Sequence, residues 1–343
     1  IKLFRGIARV SQFRYLSAIV RAYVYMSRNY KDKCDFILVG DTIKITTSFL
    51  LIAKRIGAKC VFVADEFPIP IRHKLKTSIP VWKVLGYKCV LKRIDGFIFI
   101  SRQLEQYYNA IRAKPTFVMP VIVDVSRFYE RSQAESNEDK RNYLCYMGNM
   151  ELSKDNVDLI IKAFAKIADL YPDVDLHLYG QPRGEGISIL KKLVDELGLS
   201  GRVSFKGRVD SSCVPSILFG AHVLVSSQPL TMRASGGFPT KLGEYLMTGK
   251  PTLVTRVGEN DVYVTEGQHA YFSEPDSVDD YANKLNYIMD NYSEAIHVAK
   301  EAREFVEAHY SQSSVGEKLK AFLTTICLRM YVVFLIYQVI IVV

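Results

Sequence analysis

The stretch "YLCYMGNMELSKDNVDLIIKAF", Tyr143–Phe164, decides the fold. Apolar and aromatic residues run from Tyr143 to Met147 and stop at Gly148, and a polar turn follows. From about Asn156 to Leu170 the apolar positions recur at helical spacing. A short strand that enters an amphipathic helix through a glycine turn is a βα unit. The same unit repeats on both sides. Upstream, "DFILVG" (35–40), "KCVFVAD" (59–65), "GFIFIS" (96–101) and "PTFVMP" (115–120) read as strands, with helical spacing over Thr42–Ile56 and Arg102–Arg112. Downstream, "VDLHLYG" (174–180), "RVSFKG" (202–207), "AHVLVSS" (221–227), "KPTLVT" (250–255) and "HAYFS" (269–273) alternate with helical patterns such as Ile187–Leu197, and a helical region runs from Ser277 to about His309. Strands and helices in alternation predict parallel sheets covered by helices.

The rhythm breaks once, at the polar stretch "YERSQAESNEDKRN" (Tyr129–Asn142), which has linker composition. The fold class expected is therefore α/β, with two tandem Rossmann-like doubly wound domains, 1–138 and 139–309, and a C-terminal helix and apolar tail over 310–343. Residues Gln12–Arg28 read as an amphipathic helix with no strand ahead of it, so a doubly wound first domain would lack its first strand. In open α/β sheets ligands bind beyond the carboxyl ends of the strands, so the candidate residues are expected there.

A chain of 343 residues with 49% hydrophobic content is long enough for two such cores. Its net charge of +9 comes from the first part: residues 1–130 hold 23 Lys and Arg against 9 Asp and Glu, the remainder 22 against 27. That asymmetry suggests either an anionic partner, a phosphorylated substrate or the anionic face of a membrane, or a lysine-rich solvated surface. Nucleic acid is not expected, because no recognition-helix or RNP pattern accompanies the charge. The six cysteines, Cys34, Cys60, Cys89, Cys145, Cys213 and Cys327, are scattered with no C-x-x-C pair, which argues against a disulfide framework or a zinc site and suits a reducing cytoplasm. No apolar secretory segment opens the chain, and the apolar tail Ala321–Val343 is interrupted by Arg329. The tail is expected to be a helix or strand docked on the body, or a membrane-surface contact, rather than a transmembrane helix.

Two places carry candidate chemistry. At the first, Gly148 closes a strand and Lys154 precedes a helix whose free N–H groups favour an anion. The alternative is an ordinary turn glycine and a solvated lysine. The second is "SGGFPTKLGEYLMTGKPTLVT" (Ser235–Thr255), where Gly236 and Gly237 allow close backbone approach before a short helix carrying Lys241 and Glu244. Those two charges stand at i, i+3 spacing. They make either a surface pair worth a few tenths of a kcal/mol or a ligand contact, with the carboxylate accepting ribose hydroxyls. Neither a Walker A loop nor G-x-G-x-x-G is present.

In order along the chain, "GNMELSKDNVDLIIKAF", "LHLYGQP", "VSFKGRV", "AHVLVSS" and "GGFPTKLGEYLMTGKPTLVT" resemble the glycosyltransferases of the GT-B fold, most closely the large retaining family 4. "GFIFISRQLEQYY" and "FVMPVIVDVSRF" are similar to the end of that family's N-terminal domain. The resemblance implies metal-independent transfer of a sugar, with retention, from a nucleoside-diphosphate sugar that serves as substrate, no cofactor being required. Taken with the basic first half of the chain, the expected acceptor is a lipid-linked saccharide or a polysaccharide precursor, met by a cytoplasmic protein held peripherally at the anionic inner face of the cell membrane.

Carried over residue by residue, Gly148 and Lys154 match the donor-diphosphate loop, while Asn149 stands where an arginine is usual. Glu244 matches the glutamate that binds the donor ribose and Phe238 the aromatic near the motif's start. Gly236 replaces the motif's first glutamate. A subgroup with P-x-K-x-x-E-Y fits Pro239, Lys241, Glu244 and Tyr245, and there Lys241, or Arg233 just upstream, supplies charge near the diphosphate. On the acceptor side Asp65 and Glu66 stand where relatives carry a histidine-aspartate pair. Two other functions fit the same scaffold: a nucleotide-sugar epimerase, or a nucleotide-binding or scaffold protein with impaired catalysis.

Overall fold

In the computed structural model the described residues are 11–40, 43–65, 67, 81–129, 141–182, 184–231, 234, 240–326, 332–336 and 339–342. The chain divides into two compact units, Ile1–Met119 with Gly316–Val343, and Pro120–Val315.

The first unit opens with helix α1 (Ser11–Asn29), then alternates β1 (Phe36–Val39), α2 (Ile43–Ile56), β2 (Lys59–Ala64), α3 (Val81–Leu91), β3 (Gly96–Phe99), α4 (Arg102–Ile111) and β4 (Thr116–Val118). β1 and β3 are buried along their whole length, which is why they read as unbroken apolar runs. Ser101 caps α4, its hydroxyl accepting from the Leu104 N–H at 3.2 Å. One core cluster packs Ala22, Met26, Phe49, Ile52, Phe62, Phe97 and Tyr108 together. On a separate cluster Phe36, Leu38, Val61 and Ile98 meet Leu319, Phe322 and Leu323.

The second unit repeats the pattern with α5 (Ser126–Tyr129), β5 (Asn142–Met147), α6 (Leu152–Asp155), α7 (Val157–Ile167), β6 (Val174–Tyr179), α8 (Gly186–Glu196), β7 (Val203–Gly207) and β8 (Val223–Val225). It continues with α9 (Thr240–Met247), β9 (Thr252–Thr255), β10 (Tyr271–Ser273), α10 (Val278–Asp290) and α11 (Tyr292–Tyr310). Helix α12 (Gln312–Ile326) and strands β11 (Val332–Ile336) and β12 (Val339–Val342) end the chain.

The first sheet runs β12-β11-β1-β2-β3-β4, with β11 parallel to β1 and β12 antiparallel to β11. The apolar tail thus forms strands on the sheet, one of the placements expected for it. Among the described residues no helix is long and apolar enough to cross a membrane. The second sheet, β10-β9-β8-β5-β6-β7, is parallel throughout. Its strand order reverses between β5 and β8. This switch point is where an open α/β sheet leaves a crevice at the carboxyl ends of its strands.

The 138/139 domain boundary lies outside the described residues. Residues 120–129 group with the second unit, where Val121, Val123 and Phe128 join a core with Leu242, Tyr245 and Leu246. One boundary differs from the sequence reading: the helix expected from Asn156 is preceded by the separate turn α6, and Asn156 stands between them at φ 42°. A left-handed residue ends one helix and starts another, so Lys154 rides on a helical turn rather than a loop.

The strand histidines are packing groups. His177 stacks on Tyr143 at 4.4 Å between ring centroids and His222 on Tyr292 at 3.7 Å; burial pushes each imidazole down to about 4. Cys34, Cys60, Cys89, Cys145 and Cys213 are unpaired thiols, and burial raises Cys34 to about 11. Cys327 lies outside the described residues.

Candidate functional site

The carboxyl end of β5 is held against that of β6 by two glycines. The Gly148 N–H donates to the Tyr179 carbonyl at 2.9 Å, and Gly180 adopts φ +132° directly beneath it. A Cβ on Gly180 would lie 1.6 Å from the Gly148 carbonyl oxygen. Only glycine lets the two strand ends approach this closely.

Gly148 itself is crowded by side chains. A Cβ there would lie 2.5 Å from the Tyr146 hydroxyl and 2.6 Å from Lys241 Nζ. Lys241, in the first turn of α9, reaches across to donate to Asp155 Oδ1 at 2.7 Å and to the Tyr146 hydroxyl at 3.1 Å, with its ammonium 4.4 Å from the centre of the Tyr146 ring. Its side chain is 18% exposed and that of Asp155 9%, so this pair is largely removed from water. Burial lowers the Lys241 pKa and the neighbouring Asp155 carboxylate opposes that shift. A second tie comes from Tyr245, whose hydroxyl accepts from the Met147 N–H at 2.8 Å. The K-x-x-x-Y spacing puts both side chains on one face of α9. That face therefore clamps the helix to the end of β5 and to α6.

Lys154 lies beside Asp155 on α6, and its ammonium is 3.2 Å from Glu151 Oε2. This i, i+3 pair is about a third exposed and worth at most a few tenths of a kcal/mol, so it leaves Lys154 available to a stronger anion. Asn149 is exposed on the same turn.

Glu244 does not pair with Lys241. Its Oε1 accepts from Arg127 Nη1 at 2.7 Å, and Arg127 Nη2 donates to the Ser211 carbonyl at 3.0 Å. The surface pair considered from the i, i+3 spacing is thus absent; each charge takes a partner distant in sequence. Gly243 makes this packing possible, because a Cβ there would meet Val123 Cγ2 at 2.6 Å.

Lys241 therefore brings Gly148, Asp155 and the start of α9 together, with Lys154 and Glu244 as sequence neighbours of that contact. Arg233, Gly236, Gly237 and Phe238 lie outside the described residues, as does Glu66. In the other unit Asp65 is exposed just past the carboxyl end of β2. Sequence reading gave no role to Asp155, Tyr146 or Arg127, and took Tyr245 only as a motif position. Asp155 had a signal, its position next to Lys154; Arg127 had none, being 117 residues from Glu244.

Residues 128–305 match the family described as Glycosyl transferases group 1. Mannosylfructose-phosphate synthase of Agrobacterium fabrum is 28% identical over 62% of this chain and 47% of its own length. A D-inositol 3-phosphate glycosyltransferase of Corynebacterium urealyticum is 24% identical over 63% of this chain and 52% of its own. The chain spans about half the length of the curated relatives it matches. Among solved structures, sucrose-phosphate synthase of Thermosynechococcus elongatus superposes with a TM-score of 0.73 at 20% identity, covering 95% of this chain and 82% of that one. HepE of Anabaena, crystallised with UDP, also gives 0.73, at 16% identity, covering 92% and 84%. These neighbours share the GT-B fold of two Rossmann-like domains. With more than half of its length matched, this chain belongs to the group 1 glycosyltransferases.

Proposed function

We propose that the protein is a retaining glycosyltransferase that moves a sugar, without a bound metal, from a nucleoside-diphosphate sugar to a lipid-linked or polysaccharide-precursor acceptor. One observation carries this reading. At the switch point of the second sheet, Lys241 ties Tyr146 and Asp155 to α9, so Lys154, a lysine with a weak partner beside Asp155, and Glu244, a carboxylate with a monodentate one on α9, are sequence neighbours of the same contact.

The chemistry asks for such a site. As the glycosidic bond breaks, the sugar gains oxocarbenium character and the diphosphate gains charge. A preorganised cation at the leaving group answers that charge. Lys154 fills that role, Glu244 accepts the ribose hydroxyls, and Asn149, Arg233, Gly236, Gly237 and Phe238 complete the donor loop. HepE, on the same fold, was crystallised with UDP, which favours a uridine nucleotide here. Asp65 and Glu66 are assigned to the acceptor, as the groups that orient or deprotonate its hydroxyl.

The test is sugar transfer from a panel of nucleotide-sugars to lipid-linked and oligosaccharide acceptors. Lys154→Ala and Glu244→Ala are each expected to lower kcat/KM by about 100-fold or more. Unchanged transfer in both variants would reject the site. Conversion of the sugar without any acceptor would favour the epimerase, and tight nucleotide binding without turnover the impaired protein.

A peripheral position at the inner face of the cell membrane is proposed with it, and is supported by α1. Leu16, Val20, Tyr23 and Val24, spaced i, i+4, i+7, i+8, are exposed along one side of that helix, and Arg21 and Arg28 are exposed as well. An apolar stripe beside arginines suits an anionic lipid surface. The full chain should co-float with vesicles containing anionic phosphatidylglycerol, leave them at high salt, and lose binding in the Leu16→Glu/Val20→Glu variant. Equal recovery with purely zwitterionic vesicles would count against the charge-based contact.

A further inference from the structure

Arg127 lies on α5, outside the segment matched to the family, and neither sequence pattern nor resemblance gives it a role. Its guanidinium is held at two points, by Glu244 Oε1 at 2.7 Å through Nη1 and by the Ser211 carbonyl at 3.0 Å through Nη2. Ser211 opens the turn that follows β7, at the carboxyl-end rim of the second sheet. Three segments distant in sequence therefore meet on one planar cation.

The pairing with Glu244 is monodentate. Nη2 is spent on Ser211, so the fork that would bind both carboxylate oxygens is split between two acceptors. Among the described residues Glu244 Oε2 has no hydrogen-bond partner. Both side chains are about a third exposed, 34% for Arg127 and 32% for Glu244, so a ligand can reach the carboxylate without unburying the arginine.

We propose that Arg127 is a positioning residue for the donor nucleotide. It holds Glu244 by one oxygen and leaves Oε2 to accept from the ribose hydroxyls. A freely rotating glutamate would pay side-chain entropy on each binding event; one anchored to a guanidinium, itself fixed to backbone, has paid most of it beforehand. This inference rests on the ribose role proposed for Glu244.

The experiment measures affinity for UDP and for 2′-deoxy-UDP, with GDP and ADP and their 2′-deoxy forms in parallel, on the full chain and on Glu244→Ala, Arg127→Met and Arg127→Lys. Thermal melts report folding of each variant, and Arg127→Lys serves where Arg127→Met does not fold. In the parent the 2′-hydroxyl is expected to be worth about tenfold in affinity, the yield of a hydrogen bond to a charged group. Glu244→Ala should abolish that preference. Arg127→Met should reduce it to about twofold while leaving affinity for the 2′-deoxy nucleotide nearly unchanged, and Arg127→Lys, which keeps the charge but cannot hold both acceptors, should fall between.

A merely structural arginine would weaken both nucleotides alike, and that result overturns the proposal. So does tighter UDP binding by Arg127→Met, which would make Arg127 a competitor for Glu244. If Glu244→Ala loses the preference and both Arg127 variants keep it, the positioning role fails alone. If Glu244→Ala keeps it, or no nucleotide binds, the ribose assignment fails and the inference falls with it.

Discussion

Replacing Gly180 by alanine is expected to cost the second unit more than about 4 kcal/mol, a loss reserved for changes that backbone cannot absorb. Two causes act together. The new Cβ would stand 1.6 Å from the Gly148 carbonyl oxygen, an atom of backbone that no rotamer change can move aside. The φ of +132° is also one that L-residues rarely adopt, which adds roughly 1–3 kcal/mol of strain. For a unit of this size each kcal/mol lowers Tm by about 2–4 °C, so the melt should fall by roughly 10 °C or more. The variant that folds would do so with β5 and β6 spread apart at their ends, and nucleotide binding should be lost with the shape of the Gly148 turn. A melt within about 2 °C of the parent would show that the strand ends are not in this contact.

Lys241→Met is expected to be the most damaging change of a charged residue. The ammonium now sits between the Tyr146 ring and Asp155, with both partners of the pair largely buried. Removing it strands a carboxylate away from water and should cost about 3–5 kcal/mol. The pair itself is a weaker source of stability than that figure suggests, because burying two charges consumes much of what their attraction returns. The double variant Lys241→Met/Asp155→Leu should therefore recover most of the loss. Denaturant melts of the two single variants and the double close a mutant cycle, and the coupling should exceed about 1 kcal/mol. Additive losses would mean that the two residues act separately. The double variant also separates two roles of Lys241: restored stability with lost nucleotide affinity would assign its charge to the diphosphate as well as to Asp155.

The alternation of strands and helices was legible because parallel strands are buried on both faces and leave unbroken apolar runs. β1 and β9, read from "DFILVG" and "KPTLVT", are buried at every position. The break at Asn156 was not legible, since a single asparagine at positive φ leaves the helical period of Val157–Ile167 unchanged. Neither was the grouping of residues 120–129 with the second unit, which depends on Val121 and Val123 finding Gly243. The candidate site divides in the same way. Gly148, Lys154, Lys241 and Glu244 stood out by residue type at turns and helix starts. Their partners did not, because the choice of Asp155 for Lys241 and Arg127 for Glu244 is made by the packing of α9 on β5, and local spacing alone favoured joining Lys241 to Glu244.

The most direct test of the donor-site assignment is a crystal structure of the full chain with UDP. The diphosphate is expected on the turn from Gly148 to Lys154 with the Lys154 ammonium in contact, and the ribose hydroxyls on Glu244 while Arg127 still holds its other oxygen. A nucleotide bound away from the carboxyl end of β5, or bound there with Lys154 and Glu244 untouched, would contradict it.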